Sequence, residues 1–411
     1  MRKSKVGMMM VLALAQVLVL VVALAPVPVR AQAEQRTVVR KAMVDNPSIG
    51  LVVYEGSPAS RAKLEAVLTR CGWFRLAPAD QAAAAQVQVF ARCQEAGGAV
   101  GLVAKVKGGG KEFDVRCQES SLDQAVYAAV DDILKQLYQV PALCSRKIVF
   151  VMTGQNGLKE LFSCYLDGAG LERLTHNNSY STEPGWGHQQ ALVYTMAKNN
   201  SLSVVLMDVG RGRQRVVSQA RGLNASAALS RDGRHLALAM SEDHRVDLYT
   251  LDLATNAKTR LTKDQHVESS PCWSPDGEQL CFVSDKLGVP QIYLMKASGG
   301  PSRRLSVGGN ECVSPDWSRV SNRLCYAKRS NTGQYVIEVL DMGKPDAVPD
   351  VVTVAAGDWE APSWAPDGRH LVCTRRSGRS RDLYMVDTWL KTFMPITRNA
   401  DFSLPAWTPA Y

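Results

Sequence analysis

Pro271-Cys272-Trp273-Ser274-Pro275-Asp276-Gly277-Glu278-Gln279-Leu280-Cys281-Phe282-Val283 reads as a short strand, a tight turn and a second strand. Ser-Pro-Asp-Gly suits a type I turn, with Pro presetting the second position and Gly permitting the last. A Pro-x-Trp-like step recurs along the last two thirds of the chain, at Trp186, Leu229 (where the others have Trp), Trp273, Trp317, Trp364 and Trp407. The intervals are 43, 44, 44, 47 and 43 residues. A second marker keeps the same step: Leu174-Thr175, Val217-Ser218, Leu261-Thr262, Leu305-Ser306, Val352-Thr353 and Ile396-Thr397. A shared period in the low forties, with several short strands in each, predicts the blades of a β-propeller.

Working outward, Gln291–Leu294 and a segment through Arg303-Arg304-Leu305 add two further strands, making four per unit. The fifth repeat keeps the turn as Pro366-Asp367-Gly368 and the second as Arg231-Asp232-Gly233, whereas the fourth loses it at Arg319-Val320-Ser321. Lys147–Val151 matches the Leu280 strand but has no Pro-x-Trp ahead of it, and Pro405-Ala406-Trp407 has no such strand behind it. The C-terminal segment is therefore expected to supply the missing inner strand of the first blade. That would close six blades over residues 146–411 and leave no open sheet edge.

Residues 34–145 have a different texture. Ser48–Tyr54 reads as a buried strand, and Ser57–Leu76 carries Ala62, Leu64, Val67, Leu68 and Cys71 at helical spacing. Gln86–Cys93, Ala99–Lys107 and Lys111–Cys117 alternate as strands, with Gly108-Gly109-Gly110 as the hairpin turn between the last two. Ser121–Tyr138 presents Leu122, Val126, Ala129, Ile133 and Leu137 as one helical stripe. This order predicts a small α/β domain of sheet against helices ahead of the propeller.

Residues 1–33 read as a signal peptide: Arg2, Lys3 and Lys5, an apolar run from Val6 to Leu24, then Ala31-Gln32-Ala33 before Glu34. The alternative is an uncleaved anchor of nearly membrane-spanning length. Of the formal net charge of +9, four positive charges lie in this stretch, leaving about +5, with no dense basic run to suggest nucleic acid. All ten cysteines fall beyond it, where export permits disulfides. Cys281 and Cys325 share one place in consecutive repeats and read as packing residues rather than as a bridge.

Catalytic signals are poor. The chain has no G-x-S-x-G elbow, no P-loop and no dinucleotide fingerprint, and its six histidines lack metal-ligand spacing, so neither a cofactor nor a metal is expected. A propeller does offer a face, where the loops ahead of the inner strands converge. Those loops carry Tyr180, Glu183, His266, Glu268, Glu311, Trp359, Glu360 and Phe402, aromatics beside carboxylates as a partner surface uses. The bland reading has Glu183 and Glu360 bonded within their own blades and Trp359 packed internally.

The whole chain resembles the TolB family of the Tol–Pal envelope system. The carrying residues are Phe402-Ser403-Leu404-Pro405-Ala406-Trp407-Thr408-Pro409, Thr182-Glu183-Pro184-Gly185-Trp186 and Asn46-Pro47-Ser48-Ile49-Gly50-Leu51-Val52-Val53. The resemblance implies a monomeric periplasmic protein that binds and does not catalyse, supporting outer-membrane integrity and constriction at division. Its propeller face would engage the lipoprotein Pal, with Asn224, Ser226, Glu268 and Ser269 as the best-matching loop residues. Its mature N-terminal segment would engage TolA, here through Glu34, Arg36, Val38, Val39 and Arg40. Ten cysteines and the eroded second and fourth repeats depart from the family pattern. Two other readings stand beside it: a propeller binding a glycan or peptidoglycan fragment through stacking on Trp359, Tyr180 and Phe402, and a hydrolase using the central channel.

Overall fold

The computed structural model describes residues 45–187, 190–242, 245–398 and 401–409. The signal stretch and the segment holding Glu34, Arg36, Val38, Val39 and Arg40 lie outside the described residues.

The α/β domain follows the periodicity of its sequence. Its elements are β1 (Ser48–Glu55), α1 (Pro58–Arg70), β2 (Arg75–Leu76), β3 (Val87–Ala96), β4 (Ala99–Gly108), β5 (Lys111–Glu119) and α2 (Leu122–Tyr138). The sheet runs β2-β1-β3-β4-β5, with β1 parallel to β3 and antiparallel ladders beyond. Gly109 and Gly110 both take left-handed φ, as a two-residue type I′ hairpin requires. Both helices carry serine N-caps: Ser57 accepts the Ser60 N–H at 3.1 Å and Ser121 that of Gln124 at 3.3 Å. Helix α1 ends six residues before the helical spacing predicts. Gly72, at φ +73°, stops it, and a Cβ there would lie 2.5 Å from His370 Nε2 in the propeller.

Beyond α2, the Asp131 carboxylate accepts the N–H groups of Leu143, Cys144 and Ser145 at 2.7–3.0 Å, fixing the chain's passage into the propeller. The repeats then build antiparallel four-stranded blades, named here by their Trp-type anchors; four are separate sheets, and the first two are joined by a parallel bridge between Lys159 and Tyr180. The expected exchange of ends is observed. Phe402–Trp407 pairs antiparallel with Ile148–Thr153, Phe402 opposite Met152 and Trp407 opposite Ile148.

The two repeated markers have separate structural reasons. In three of the five Trp anchors the indole N–H reaches back to the preceding blade's inner strand, Trp186 to Ala406 O (3.2 Å), Trp273 to Ala228 O (3.0 Å) and Trp364 to Asp316 O (3.1 Å), whereas Trp317 donates to Asn322 of its own blade (3.3 Å). The Leu-Thr marker works within a blade. Thr175, Thr262, Ser306, Thr353 and Thr397 accept the N–H groups of Leu161, Leu248, Ile292, Ile337 and Leu383 at 2.9–3.1 Å. Without those hydroxyls each third strand would bury an unpaired donor. The turn is likewise wired: Ser274 Oγ donates to Asp276 at 2.5 Å and accepts the Gln279 N–H at 2.9 Å, while Gly277 takes φ +78°.

A buried charged cluster joins the α/β domain to the turn of the Trp364 blade. Trp73 Nε1 donates to Asp367 Oδ2 (3.0 Å), His370 Nδ1 meets the same oxygen (2.6 Å), and Arg369 Nη2 bridges Asp387 (2.5 Å) and Asn46 (2.6 Å). The Arg369 guanidinium lies 4.7 Å from the ring centroids of both Trp73 and Trp389. A second clamp sets Lys63 Nζ 2.8 Å from Asp167. The neighbouring Asp367 and Asp387 carboxylates overcome the burial penalty on His370 and hold its imidazole up at about 9. His370→Ala would leave two buried carboxylates facing a void. The expected cost is about 3–5 kcal/mol in urea unfolding, with the loss largest below pH 6.5 and shrinking as pH rises through about 9. A change under 1 kcal/mol, on the order of a surface substitution, would remove this cluster as the interdomain weld.

Candidate functional site

Every inner strand breaks its pairing register at the same place. The skipped positions are 183–184, 226–227, 270–271, 314–315, 361–362 and 404–405. The first residue of each bulge takes left-handed φ, between 47° and 54°, although none is glycine: Glu183, Ser226, Ser270, Ser314, Ala361 and Leu404. Proline follows in five of the six, and a bulge is where a sheet tolerates a residue without N–H. The bulges turn these residues toward the axis, where they line a central cavity of about 280 Å³.

Several polar groups of the cavity wall are engaged with one another. Glu183 accepts Thr195 Oγ1 (2.7 Å), Ser226 N–H (2.8 Å) and Ser226 Oγ (2.9 Å), tying two blades. Asp316 Oδ2 accepts the Trp364 N–H at 2.7 Å, and burial pushes its carboxyl up to about 6. Arg319, from the repeat that lost its Pro-Asp-Gly turn, hydrogen-bonds the Trp186 carbonyl on the blade opposite. The eroded turn thus lets one side chain span the channel, a role the sequence did not signal.

The α/β domain contacts the end of the propeller that carries the Asp367 turn and Asp167, so the other end, where the inner strands begin, is left open by it. The structure sorts the residues expected there. Tyr180 is exposed, and His266 and Glu311 are partly so, facing Asp285 (3.7 Å) and Arg329 (3.6 Å). Ser269 and Glu360 are half-buried, and Glu183 and Ser226 belong to the channel wall. The expectation that Asn224, Glu268 and Trp359 face a partner does not hold, because all three are fully buried. Asn224 clamps its own loop through Ser218, Ala220 and Gly222. Trp359 donates to Ala355 O at 2.9 Å beneath the Arg375 guanidinium. Phe402 is also buried, edge-on to Phe150, so only Tyr180 of the three proposed stacking rings is exposed.

Residues outside the expected set supply the apolar surface. Val267, Leu287, Val289 and Val307 are exposed on three neighbouring loops of the Trp273 blade, with Tyr180 and Val354 on other blades of the same end. Those loops are held together by Val267 N–H to Asp285 (2.9 Å), Gln291 Nε2 to Asn310 O (2.7 Å) and the Cys312 N–H to Pro290 O (2.9 Å). The Lys286–Asp264 pair (2.8 Å) lies beside them. An apolar centre with a charged rim is the anatomy of a protein interface. Among the described residues no group of His, Cys, Asp and Glu could hold a metal ion, and no helix is long and apolar enough to cross a membrane.

A family profile described as the TolB beta propeller domain matches residues 134–411, well over half of the chain. The chain belongs to the TolB β-propeller family. It is 27% identical over 244 residues to the Tol-Pal system protein TolB of Alcanivorax borkumensis, covering 52% of this chain and 56% of that protein. It is 29% identical over 119 residues to the Tol-Pal system protein TolB of Desulfosudis oleivorans, 29% of this chain and 27% of that one. The chain thus matches between about a quarter and a half of these relatives' lengths. The crystal structure of TolB from Acinetobacter baumannii shares the fold with a TM-score of 0.79 at 21% identity, over 89% of this chain and 97% of that one. The fold expected from the sequence, a small α/β domain followed by a TolB-type propeller, is the one found.

Glu268 also explains a pH response. Burial raises its carboxyl from 4.5 to about 7, with the Ser284 hydroxyl bond (2.9 Å) acting in the opposite direction. The folded state therefore binds this proton more tightly than the unfolded chain. Its contribution is full below about pH 4.5 and is lost as pH rises through 7. Glu268→Gln is expected to flatten that decline and to be more stable than the parent by about 1–3 kcal/mol at pH 8 in urea unfolding. Identical pH slopes for the two proteins would refute the assignment.

Proposed function

We propose that this chain is a protein-binding scaffold of the Tol–Pal envelope system. In this reading it is exported to the periplasm, works as a monomer without cofactor or turnover, and supports outer-membrane integrity and constriction at division. Its partner at the open propeller end is the lipoprotein Pal. The mature N-terminal segment (Glu34, Arg36, Val38, Val39, Arg40) is assigned to TolA.

One observation carries the reading: a family member's propeller keeps an exposed apolar cluster, Val267, Leu287, Val289 and Val307, on the end its own α/β domain does not use. Apolar residues grouped at one end with ion pairs around them favour a folded protein partner over a sugar. Burial of Trp359 and Phe402 removes two of the three rings on which a glycan would stack. The contact set is accordingly redrawn around Tyr180, His266, Ser269, Glu311 and the four apolar residues, with Asn224, Ser226 and Glu268 as supports beneath it.

Calorimetric titration of residues 34–411 with the soluble domain of the host's Pal tests this. Saturable one-to-one binding is expected, weakened at least about tenfold by the double change Leu287→Asp, Val307→Asp, which alters exposed side chains only. An Asn224→Ala change would act on stability instead. Absence of binding by the folded parent would overturn the Pal assignment.

A further inference from the structure

Of the ten cysteines, two stand in a special relation. Cys272, on the inner strand of the Trp273 blade, is directly opposite Cys281 on the next strand of the same antiparallel ladder. Opposed residues of such a ladder project to the same side. The Ser274 N–H bonds Gln279 O at 2.9 Å, and two residues further along the ladder the Cys272–Cys281 pair falls again at a hydrogen-bonded step. That step sets Cα atoms about 5.5 Å apart, inside the roughly 4.4–6.8 Å a disulfide spans. Both are free thiols in this structure.

The other cysteines lack this relation. Cys93 and Cys117 flank Leu102 from either side, a full strand apart at roughly 9.5 Å. Cys325 faces Asp316 across its own ladder, and Cys281 and Cys325 belong to separate sheets. Cys272 alone of the ten lines the central cavity, while Cys281 lies fully buried behind it. Burial pushes the Cys272 thiol well above its ordinary range, so it attacks slowly once folded. A bond between the two would therefore have to form as the blade assembles.

We infer that Cys272 and Cys281 are a modification site, closed to a cross-strand disulfide when the chain folds in an oxidising compartment. Two S–H bonds break and one S–S bond forms. The two electrons and two protons pass to the disulfide of a thiol–disulfide exchange partner, which leaves as a dithiol. The bridge would pin the inner strand to its neighbour next to the Ser270–Pro271 bulge, where the ladder is interrupted.

This inference rests on the export reading, and the test separates the two. The full chain is expressed with its leader, quenched in acid, denatured, alkylated and mapped by peptide mass spectrometry, with the intact mass reporting removal of residues 1–33. A leaderless protein whose 272 and 281 peptides are joined, lighter by two hydrogens and protected from alkylation, is expected. Reduction should then lower Tm by about 2–4 °C in the parent and not in Cys272→Ala. A leaderless protein with both thiols alkylated, or one bridging other cysteines instead, overturns the inference. A chain that keeps its leader and fractionates with the cytoplasm overturns the export reading. In that event refolding from urea in a glutathione redox buffer decides the pair: a 272–281 link supports it and free thiols refute it.

Discussion

The antiparallel pairing of Phe402–Trp407 with Ile148–Thr153 is the contact on which the rest of the propeller depends. It supplies the inner strand that the first blade lacks from its own stretch of sequence. Without it one blade would show an open edge of unpaired N–H and C=O groups to the channel. It also delivers Ala406 O to the Trp186 indole, so the last residues of the chain anchor the second blade as well. Non-local contacts of this kind carry the loop-closure entropy of the whole domain, because they join positions some 250 residues apart.

Closure around an axis imposes a second constraint, visible in the six bulges. Inner strands must splay at the centre, and each does so by placing a non-glycine residue in the left-handed region. Such a conformation costs of order 1–3 kcal/mol and survives only where its surroundings over-determine it. Here they do. A proline or alanine follows the strained residue, a Trp anchor or Leu229 lies three residues on, and at Glu183 three hydrogen bonds hold the side chain across two blades. The strain and the channel lining are thus one feature, which limits the channel to a cavity with engaged walls.

How much of this was legible depended on the distance over which each cause acts. The repeats, the Gly109–Gly110 hairpin, both main helices and the exchanged strand all follow from local pattern, and each is present. The early end of α1 is not local. It is dictated by His370, about 300 residues away, which leaves no room for a Cβ at position 72. The same limit separated the face residues. Asn224, Glu268 and Trp359 carry the chemistry of a contact surface, yet each sits at the start of an inner strand where a neighbouring strand or loop covers it. Val267, Leu287, Val289 and Val307 carry no motif, and only the meeting of three loops makes them a surface.

The distribution of charge and apolar groups between the two propeller ends completes the functional logic. At the end facing the α/β domain, buried charges of opposite sign are set against one another: Asp367, Asp387, His370 and Arg369 interlock with Trp73 and Asn46. Such a network is rigid and intolerant of exchange, since opening it would expose unpaired charges. At the far end the ion pairs are exposed and worth little individually, and the apolar side chains between them are uncovered. The fold therefore places its buried electrostatics between its own domains and leaves exposed apolar side chains at the end that the α/β domain does not contact.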